Sequence, residues 1–174
     1  MPPRTHLARE LAVDTIVIVG TVVVAVASAS VGGVFLTFSA FVMAGLGRLA
    51  VPNGIRAMQS INITAVTPVF MAVLFGTAGL GIILAAVGLV DPSSATPWRL
   101  GAATLYLGGV VALTTAFHVP RNNALARVSA EAAEAAAQWR TYRVAWLRGN
   151  HVRMLTALAS SARWVVSLLP EVTG

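Results

Sequence analysis

A stripe of aromatic and polar side chains runs through the stretch from Trp139 to Arg153. If this stretch is helical, at about 100° per residue, five residues spaced three or four positions apart fall within an arc of roughly 80°. The five are Trp139, Tyr142, Trp146, Asn150 and Arg153. Flat rings can hold a flat molecule, while an amide and a guanidinium can donate hydrogen bonds to a negatively charged oxygen. The stripe is therefore a candidate pocket wall.

A second interpretation of the stripe is an anchor at a membrane surface, where aromatic rings and arginines are common. The cluster of Asn150, His151 and Arg153 favours the pocket, because it stands at the threshold of an apolar run. Polar groups at the edge of a hydrocarbon layer must find partners or a cavity. On the pocket interpretation the three rings of the stripe face inward, and on the anchor interpretation they face lipid.

An amide pair lies earlier in the chain, after a Pro52-Asn53-Gly54 sequence that is typical of a turn. Gln59 and Asn62 are three residues apart, so on a helix their side chains share one face. Such a pair near a membrane boundary is either a clasp between helices or a clamp for a ligand, and the sequence leaves both interpretations open.

A third polar cluster surrounds Pro120 and consists of His118, Asn122 and Asn123. Proline disfavours helix in the residue before it and suits the first turn of a new helix. The chain should therefore bend near His118 and restart as a helix from about Arg121. A histidine at such a helix end is either a hydrogen-bonded structural residue or a base.

The composition defines the class of protein that must position these side chains. The chain has 174 residues, of which 57% are hydrophobic and 10% charged, and its mean hydropathy is +0.80. These values are far from those of a soluble domain and indicate an integral membrane protein. The absence of cysteine excludes disulfides and thiolate metal sites. The net charge of +6 comes from twelve arginines without a basic run interleaved with aromatics, so nucleic acid is not an expected partner.

Four apolar stretches predict an all-α fold, a four-helix transmembrane bundle in one domain of residues 1–174. The first stretch is longer than the roughly 20 residues that span a bilayer, so it should project beyond the bilayer or break near Gly32-Gly33. Together with Ser28, these glycines form a small-residue surface on which another helix can pack. The predicted spans are about 13–47, 69–90, 100–117 and 151–169.

The connection between the third and fourth spans should be largely helical, because the sequence from Val128 to Gln138 is rich in alanine. Glu131 and Glu134 are expected to be solvated. Arg163, inside the fourth span, can snorkel toward the nearer membrane surface or point into the bundle.

Arginines are unevenly divided between the two ends of the predicted bundle. Four spans place both termini on one side, and the positive-inside rule then predicts that the opposite, arginine-rich side is cytoplasmic. All three polar clusters belong to that side. Arg4, Arg9 and Arg99 lie on the terminus side, and Arg48, Arg56, Arg121, Arg127, Arg140, Arg143 and Arg148 lie on the other.

The order of these segments resembles the DUF1772 family, the anthrone-oxygenase-like membrane proteins, over nearly the whole chain. In that family an asparagine is common before the Val-Pro pair, where this chain has His118. The segments that carry the resemblance are Met58-Gln59-Ser60-Ile61-Asn62, Val119-Pro120-Arg121-Asn122-Asn123-Ala124-Leu125-Ala126 and Trp139-x-x-Tyr142-x-x-x-Trp146-x-x-x-Asn150-x-x-Arg153.

The characterised branch of that family oxidises anthrones to anthraquinones with O₂. The resemblance therefore implies a membrane-embedded oxygenase for a flat, apolar phenolic substrate, which needs a base, donors for an oxyanion and a dry aromatic slot. His118 is the candidate base. The candidate donors and substrate-binding residues are Arg153, Asn150, Gln59, Asn62, Asn122 and Asn123, and the candidate slot walls are Trp139, Tyr142 and Trp146.

The alternative is a non-catalytic membrane protein that binds lipid or serves as an accessory subunit. A transporter is less favoured, because the second and third spans lack the intramembrane charges of an ion path. O₂ is the expected co-substrate, and no further cofactor is predicted. The three histidines, His6, His118 and His151, do not show metal-ligand spacing. The sequence leaves a metal requirement open. The expected partners are the lipid bilayer and a small aromatic ligand. The expected location is the cell membrane, which the protein should cross several times. The sequence leaves the oligomeric state open.

Overall fold

A computed structural model describes residues 3–169, and within this range the chain consists of helices and turns without any strand. Several of the helices follow one another through π-helical turns rather than through loops. The α-helices are α1 (Pro3–Thr37), α2 (Met43–Arg48), α3 (Val51–Thr64), α4 (Pro68–Val90), α5 (Thr96–Tyr106), α6 (Val119–Ala126) and α7 (Ala135–Val166). The π-helical segments are Phe38–Val42, Leu107–Ala112 and Thr114–His118.

Three continuous helical stretches are long and apolar enough to cross a membrane: Leu11–Arg48, Pro68–Val90 and Thr96–Ala126. Their outer faces expose many aliphatic side chains, among them Ile16 on α1 and Ile83 on α4. In water such a surface would cost about 25 cal/mol for each Å² exposed, whereas lipid accepts it. The expectation of an all-α fold is confirmed, and three of the four predicted spans fall in helical stretches that are long and apolar enough to cross a membrane.

The first helix does not break near Gly32-Gly33, contrary to one of the two outcomes that the sequence allowed. α1 continues through both glycines, and its irregularity is the later π-helical turn Phe38–Val42. Gly32 permits close packing on α7, since a Cβ there would lie 2.8 Å from Leu158 Cδ2. Ser28 is buried as well, whereas Gly33 meets nothing within 4 Å. The small-residue surface therefore consists of Ser28 and Gly32.

The prediction of a turn at Pro52-Asn53-Gly54 was wrong, because these residues form the start of α3. Proline fits the first helical turn, where its missing N–H would have no partner in any case. Gly54 lies against α7: a Cβ at this position would be 3.2 Å from the Trp139 ring and 2.9 Å from the Leu46 carbonyl oxygen. α3 thus packs tightly against the beginning of α7 and the end of α2.

The interruption expected around Pro120 takes the form of a π-helical turn. The segment Thr114–His118 passes directly into α6, which begins at Val119, two residues before the predicted restart. Arg121 supports the junction, because its Nη1 donates to the Phe117 carbonyl oxygen at 2.9 Å and its guanidinium lies over the Phe117 ring.

The predicted helix from Val128 to Gln138 begins only at Ala135, and residues 127–134 form turns. Long-range contacts override the helix propensity of this alanine-rich segment. The Gln59 amide donates to the carbonyl oxygens of Leu125 and Val128 at 2.9 and 3.1 Å. Glu131 forms an ion pair with Arg56, and both Glu131 and Glu134 are exposed, as expected. These contacts end α6 and hold the following turn against α3.

α7 extends along the whole bundle and packs mainly on α1 and α5. Ser160 Oγ donates to the Ala102 carbonyl oxygen and Ser161 Oγ to that of Ala25, both at 2.8 Å. Arg163 points to a neighbouring helix end, where it donates to the Pro97 carbonyl oxygen and lies 4.8 Å from the centre of the Trp98 ring. α7 is therefore a central element on which the other helices are assembled.

Candidate functional site

All five residues of the predicted stripe lie on the buried face of α7. Each keeps less than a tenth of its side chain exposed, and Asn150 is fully buried. The three rings therefore face the interior of the protein, as the pocket interpretation requires and the anchor interpretation does not. The same face continues through Ala157 and Ser160 to Trp164.

Asn150 and Arg153 form the polar centre of this face. Arg153 Nη2 donates to Asn150 Oδ1 at 2.8 Å, and Asn150 Nδ2 donates to the Phe35 carbonyl oxygen at 2.7 Å and to Ser39 Oγ at 2.9 Å. Arg153 Nη1 donates to Thr114 Oγ1 at 3.3 Å. Ser39 and Thr114 belong to different π-helical segments, a type of irregularity that is frequent at functional sites.

Arg153 is buried without a carboxylate partner. Its guanidinium lies between two aromatic rings, 4.2 Å from the centre of Phe35 and 5.2 Å from that of Trp146. Its Nε is buried and makes no hydrogen bond, and within residues 3–169 the side chain forms no ion pair. Cation–π contacts and neutral hydrogen bonds stabilise the cation but leave its charge uncompensated.

Asn122 connects α6 to two rings of the stripe. Its Oδ1 accepts hydrogen bonds from Tyr142 Oη at 2.9 Å and from Trp146 Nε1 at 3.0 Å. Asn62 Nδ2 donates to Tyr142 Oη at 3.4 Å. Burial raises the pKa of the Tyr142 phenol above its ordinary value, so the hydroxyl remains protonated and can donate. With its oxygen engaged twice, Asn122 has its amide nitrogen available for a ligand.

A cavity of about 280 Å³ lies between α1, α3, α4, α6 and α7. Its volume is near the lower end of small-molecule sites, which span roughly 300–1,000 Å³. Most of the wall is apolar. The aromatic side chains of the wall are Phe35, Phe38, Phe70, Phe75 and Trp146, and the polar ones are Asn62, Thr114, Thr115, Asn122 and Arg153.

A larger space of about 560 Å³ lies between α6 and α7 but has a different character. It is an open groove, and several of its wall residues, such as Ala124, Ala137 and Thr141, are exposed. Its wall lacks the buried Arg153 and the hydrogen-bonded Asn122 and Trp146 that line the smaller cavity. The smaller cavity is therefore the better candidate for a site that holds a ligand in one orientation.

His118 lies beside the cavity wall but not in it. The imidazole is 1% exposed, contacts the Trp146 ring edge-on at 5.1 Å between centres, and is not part of the cavity lining. Neither ring nitrogen makes a hydrogen bond. Gly149 provides the necessary space, since a Cβ there would lie 2.8 Å from His118 Nε2. An imidazolium at this position would be a buried charge without a partner.

The structure therefore divides the predicted site residues into three groups. Residues at the cavity are Asn62, Asn122, Trp146 and Arg153. Residues that support them through hydrogen bonds are Tyr142 and Asn150. Residues away from the cavity are Gln59, which clasps α6; His118; Asn123, which is exposed; and Trp139, which stacks on Tyr142 at 5.8 Å between ring centres.

Sequence reasoning missed Phe35, Phe38, Ser39 and Thr114. All four lie in apolar helical runs, where a phenylalanine is typical of any span and a hydroxyl side chain usually bonds to its own helix backbone. Their place at the site becomes visible only when α7 packs against the end of α1 and the π-helical segments Phe38–Val42 and Thr114–His118. No spacing in the sequence predicts that packing.

Comparisons with known proteins give one result that bears on this site. A family model described as anthrone oxygenase matches residues 64–162, more than half of the chain, which include Thr114, Asn122, Trp146 and Arg153. A search of curated proteins and a search of solved structures returned no match. Among residues 3–169 there is no group of three or more His, Cys, Asp and Glu side chains that could hold a metal ion. The chain belongs to the anthrone oxygenase family.

Proposed function

We propose that this protein is a membrane-embedded oxygenase that converts a flat, apolar phenolic substrate of the anthrone type to a quinone with O₂. The observation that carries the proposal is the cavity in which aromatic walls and the Arg153 guanidinium meet. Aromatic walls suit a fused-ring substrate, and the cation suits an oxygen that becomes negative during reaction. Membership in the family supports the same chemistry.

The proposed reaction is balanced as anthrone plus O₂ giving anthraquinone plus water. Loss of a proton from the methylene carbon gives a delocalised enolate, and this carbon then transfers electrons to O₂ and forms a C–O bond. The peroxide anion takes back one proton, and the resulting hydroperoxide loses water across its C–H and O–O bonds, which leaves the second carbonyl group. The protein must therefore stabilise the negative oxygen of the enolate and hold the ring system in place.

The cavity residues match these two requirements. Trp146 and Phe35 provide flat surfaces beside the guanidinium, so a ring system that packs on them can direct its oxygen to Arg153. The amide nitrogen of Asn122 provides a second donor, held in orientation by the two hydrogen bonds to Oδ1. Fixed donors that require no reorganisation are the main source of oxyanion stabilisation in enzymes.

We also infer that α7 is the fourth helix to cross the bilayer, from about His151 onward, in a single integral membrane domain. One face of this part packs on α1 and α5 through Ala157, Ser160 and Trp164. The opposite face exposes aliphatic side chains, among them Leu155 and Val165, which suits contact with lipid. Single cysteines introduced on either side of this part would test the crossing by labelling from one side of the membrane, since the natural chain has no cysteine.

The test of the oxygenase is turnover of anthrone by the purified protein in detergent. Quinone absorbance and O₂ consumption should rise together, one O₂ for each quinone, above the rate in protein-free micelles. Arg153→Met should lower this rate by at least about 100-fold, the size typical for loss of one oxyanion donor. Arg148→Met is the matched control, because Arg148 is exposed on the same helix and should tolerate the change.

A wild-type rate equal to that of protein-free micelles would contradict the oxygenase. Mass spectrometry of extracted ligands, with metal analysis of the same sample, would then decide between the remaining interpretations. A retained lipid without an aromatic ligand would support the non-catalytic lipid-binding protein. Copper or iron at stoichiometric level would show that the reaction as written lacks a component.

A further inference from the structure

The cavity contains a cation but no obvious base. Among the described residues, those that line it include neither a carboxylate nor an imidazole, and Arg153 supplies the charge. The nearest candidates for a base are held elsewhere: His118 is outside the lining, and the Tyr142 hydroxyl is engaged with Asn122. Arg121 bonds to the Phe117 carbonyl oxygen and does not line the cavity. The site is therefore built to hold a negative charge rather than to create one by removing a proton.

The uncompensated charge of Arg153 indicates which charge a ligand of the cavity should carry. Removing an ion from water costs several kcal/mol even after relaxation, and a buried cation without a partner carries that cost in the free protein. An anion in the cavity, which the Arg153 side chain lines, would compensate the charge. A neutral ligand would leave the charge as it is.

We propose that the cavity binds its flat aromatic ligand as an anion that has lost its proton before entry. The aromatic class rests on the proposed function, whereas the selection of an anion rests on Arg153 alone. For an anthrone, the bound species is the enolate, and its proton passes to water at the membrane surface. The enolate carbon then forms a C–O bond to O₂, the peroxide anion takes up a proton from water, and loss of water gives the quinone. The quinone is neutral, so it is no longer attracted to Arg153 and is released.

A fatty acid carboxylate could provide the same negative charge, because this is a membrane protein. The contacts of Arg153 favour the flat aromatic anion instead. Phe35 and Trp146 flank the guanidinium, and Phe38 and Phe70 extend the same wall, so a planar ring system finds stacking surfaces that a flexible chain does not use.

The test is equilibrium dialysis of the full chain in detergent against three probes: anthraquinone-2-carboxylate, the uncharged anthraquinone-2-carboxamide, and laurate. Protein-free micelles correct each value for partitioning. The wild type should bind the carboxylate at least about ten-fold more tightly than the carboxamide, a difference of about 1.4 kcal/mol. Arg153→Met should remove this preference, and Arg148→Met should retain it.

Arg153→Lys keeps the proposal testable if Arg153→Met fails to fold, because lysine retains the charge and should retain part of the preference. Equal binding of carboxylate and carboxamide by the wild type would overturn the proposal, even if anthrone turnover is observed. Laurate binding as tight as that of the aromatic carboxylate would overturn the aromatic assignment. Anion preference without anthrone turnover would support this inference and contradict only the proposed oxygenase.

Discussion

Asn150 offers the most direct test of the site, because its three hydrogen bonds join α7 to α1 and to the π-helical turn Phe38–Val42 and hold Arg153 in place. It accepts one bond from a guanidinium and donates two, to the Phe35 carbonyl oxygen and to Ser39 Oγ, while its own side chain is fully buried. A hydrogen bond to a charged group contributes about 1.5–3 kcal/mol and a neutral one about 1 kcal/mol. Asn150→Ala should therefore lower the free energy of unfolding by about 3–5 kcal/mol.

Asn150→Asp separates the structural role from the electrostatic one. The carboxylate can still accept from Arg153 Nη2, and the Ser39 hydroxyl can reverse its bond and donate. The carboxylate oxygen that replaces Nδ2 cannot donate to the Phe35 carbonyl oxygen and would repel it. The free energy of unfolding should stay at least about 1 kcal/mol above that of Asn150→Ala, since one charged hydrogen bond is kept. The new carboxylate also neutralises Arg153, so the preference for anthraquinone-2-carboxylate should disappear.

Thermal and chemical unfolding in detergent would give the stability order, and dialysis with the carboxylate and carboxamide probes would give the preference. The expected pattern is a stability order of wild type, Asn150→Asp and Asn150→Ala, with anion preference in the wild type and none in the aspartate variant. If Asn150→Asp binds the carboxylate as tightly as the wild type, the charge of Arg153 does not govern binding and the reasoning fails.

Three further predictions concern packing around the site. His118→Ala should lower the free energy of unfolding by about 2–4 kcal/mol, because it leaves an empty space in the core. The turnover rate per folded molecule should stay within a few-fold of the wild-type rate, and loss of turnover would show that His118 is the base. Gly54→Ala should destabilise by about 1–3 kcal/mol because a Cβ meets the Trp139 ring and a carbonyl oxygen, whereas Gly45→Ala, with nothing within 4 Å, should be tolerated in the same unfolding assay. Gln59→Leu should free the turn at residues 127–134, so limited proteolysis should cut there first, and an unchanged cleavage rate would contradict the clasp.

The sequence allowed the face of α7 to be predicted because helical periodicity is a local property. The spacing of three or four residues between Trp139 and Arg153 places their side chains on one face of a helix whatever surrounds it. A guanidinium beside apolar residues then favours an interior position, where it finds hydrogen-bond partners. The same reasoning identified Asn62 and Asn122 as polar groups at a membrane boundary. Both line the cavity with Trp146 and Arg153.

The failures concern properties that depend on distant parts of the chain. The alanine-rich segment before Ala135 has high helix propensity, but contacts from Gln59 and Arg56 on α3 hold it as a turn. His118 precedes Asn122 by four residues in the sequence, yet the imidazole at the end of the π-helical turn lies against Gly149 instead of lining the cavity. Neither the partner of an amide nor the register of a π-helical turn can be read from local composition.

The π-helical turn Phe38–Val42 also has a consequence for how this site can change over evolutionary time. A π-helical turn contains one residue more than the α-helical turn that it replaces, so deletion of a single residue there could return the helix to an uninterrupted α-helix. Because the wider turn absorbs the extra residue, the part of the helix beyond the deletion would keep nearly its present orientation, and the change would fall on the side chains inside the turn. Single-residue insertions and deletions in this turn, rather than substitutions alone, could therefore re-aim Ser39 and exchange the side chains that face Asn150.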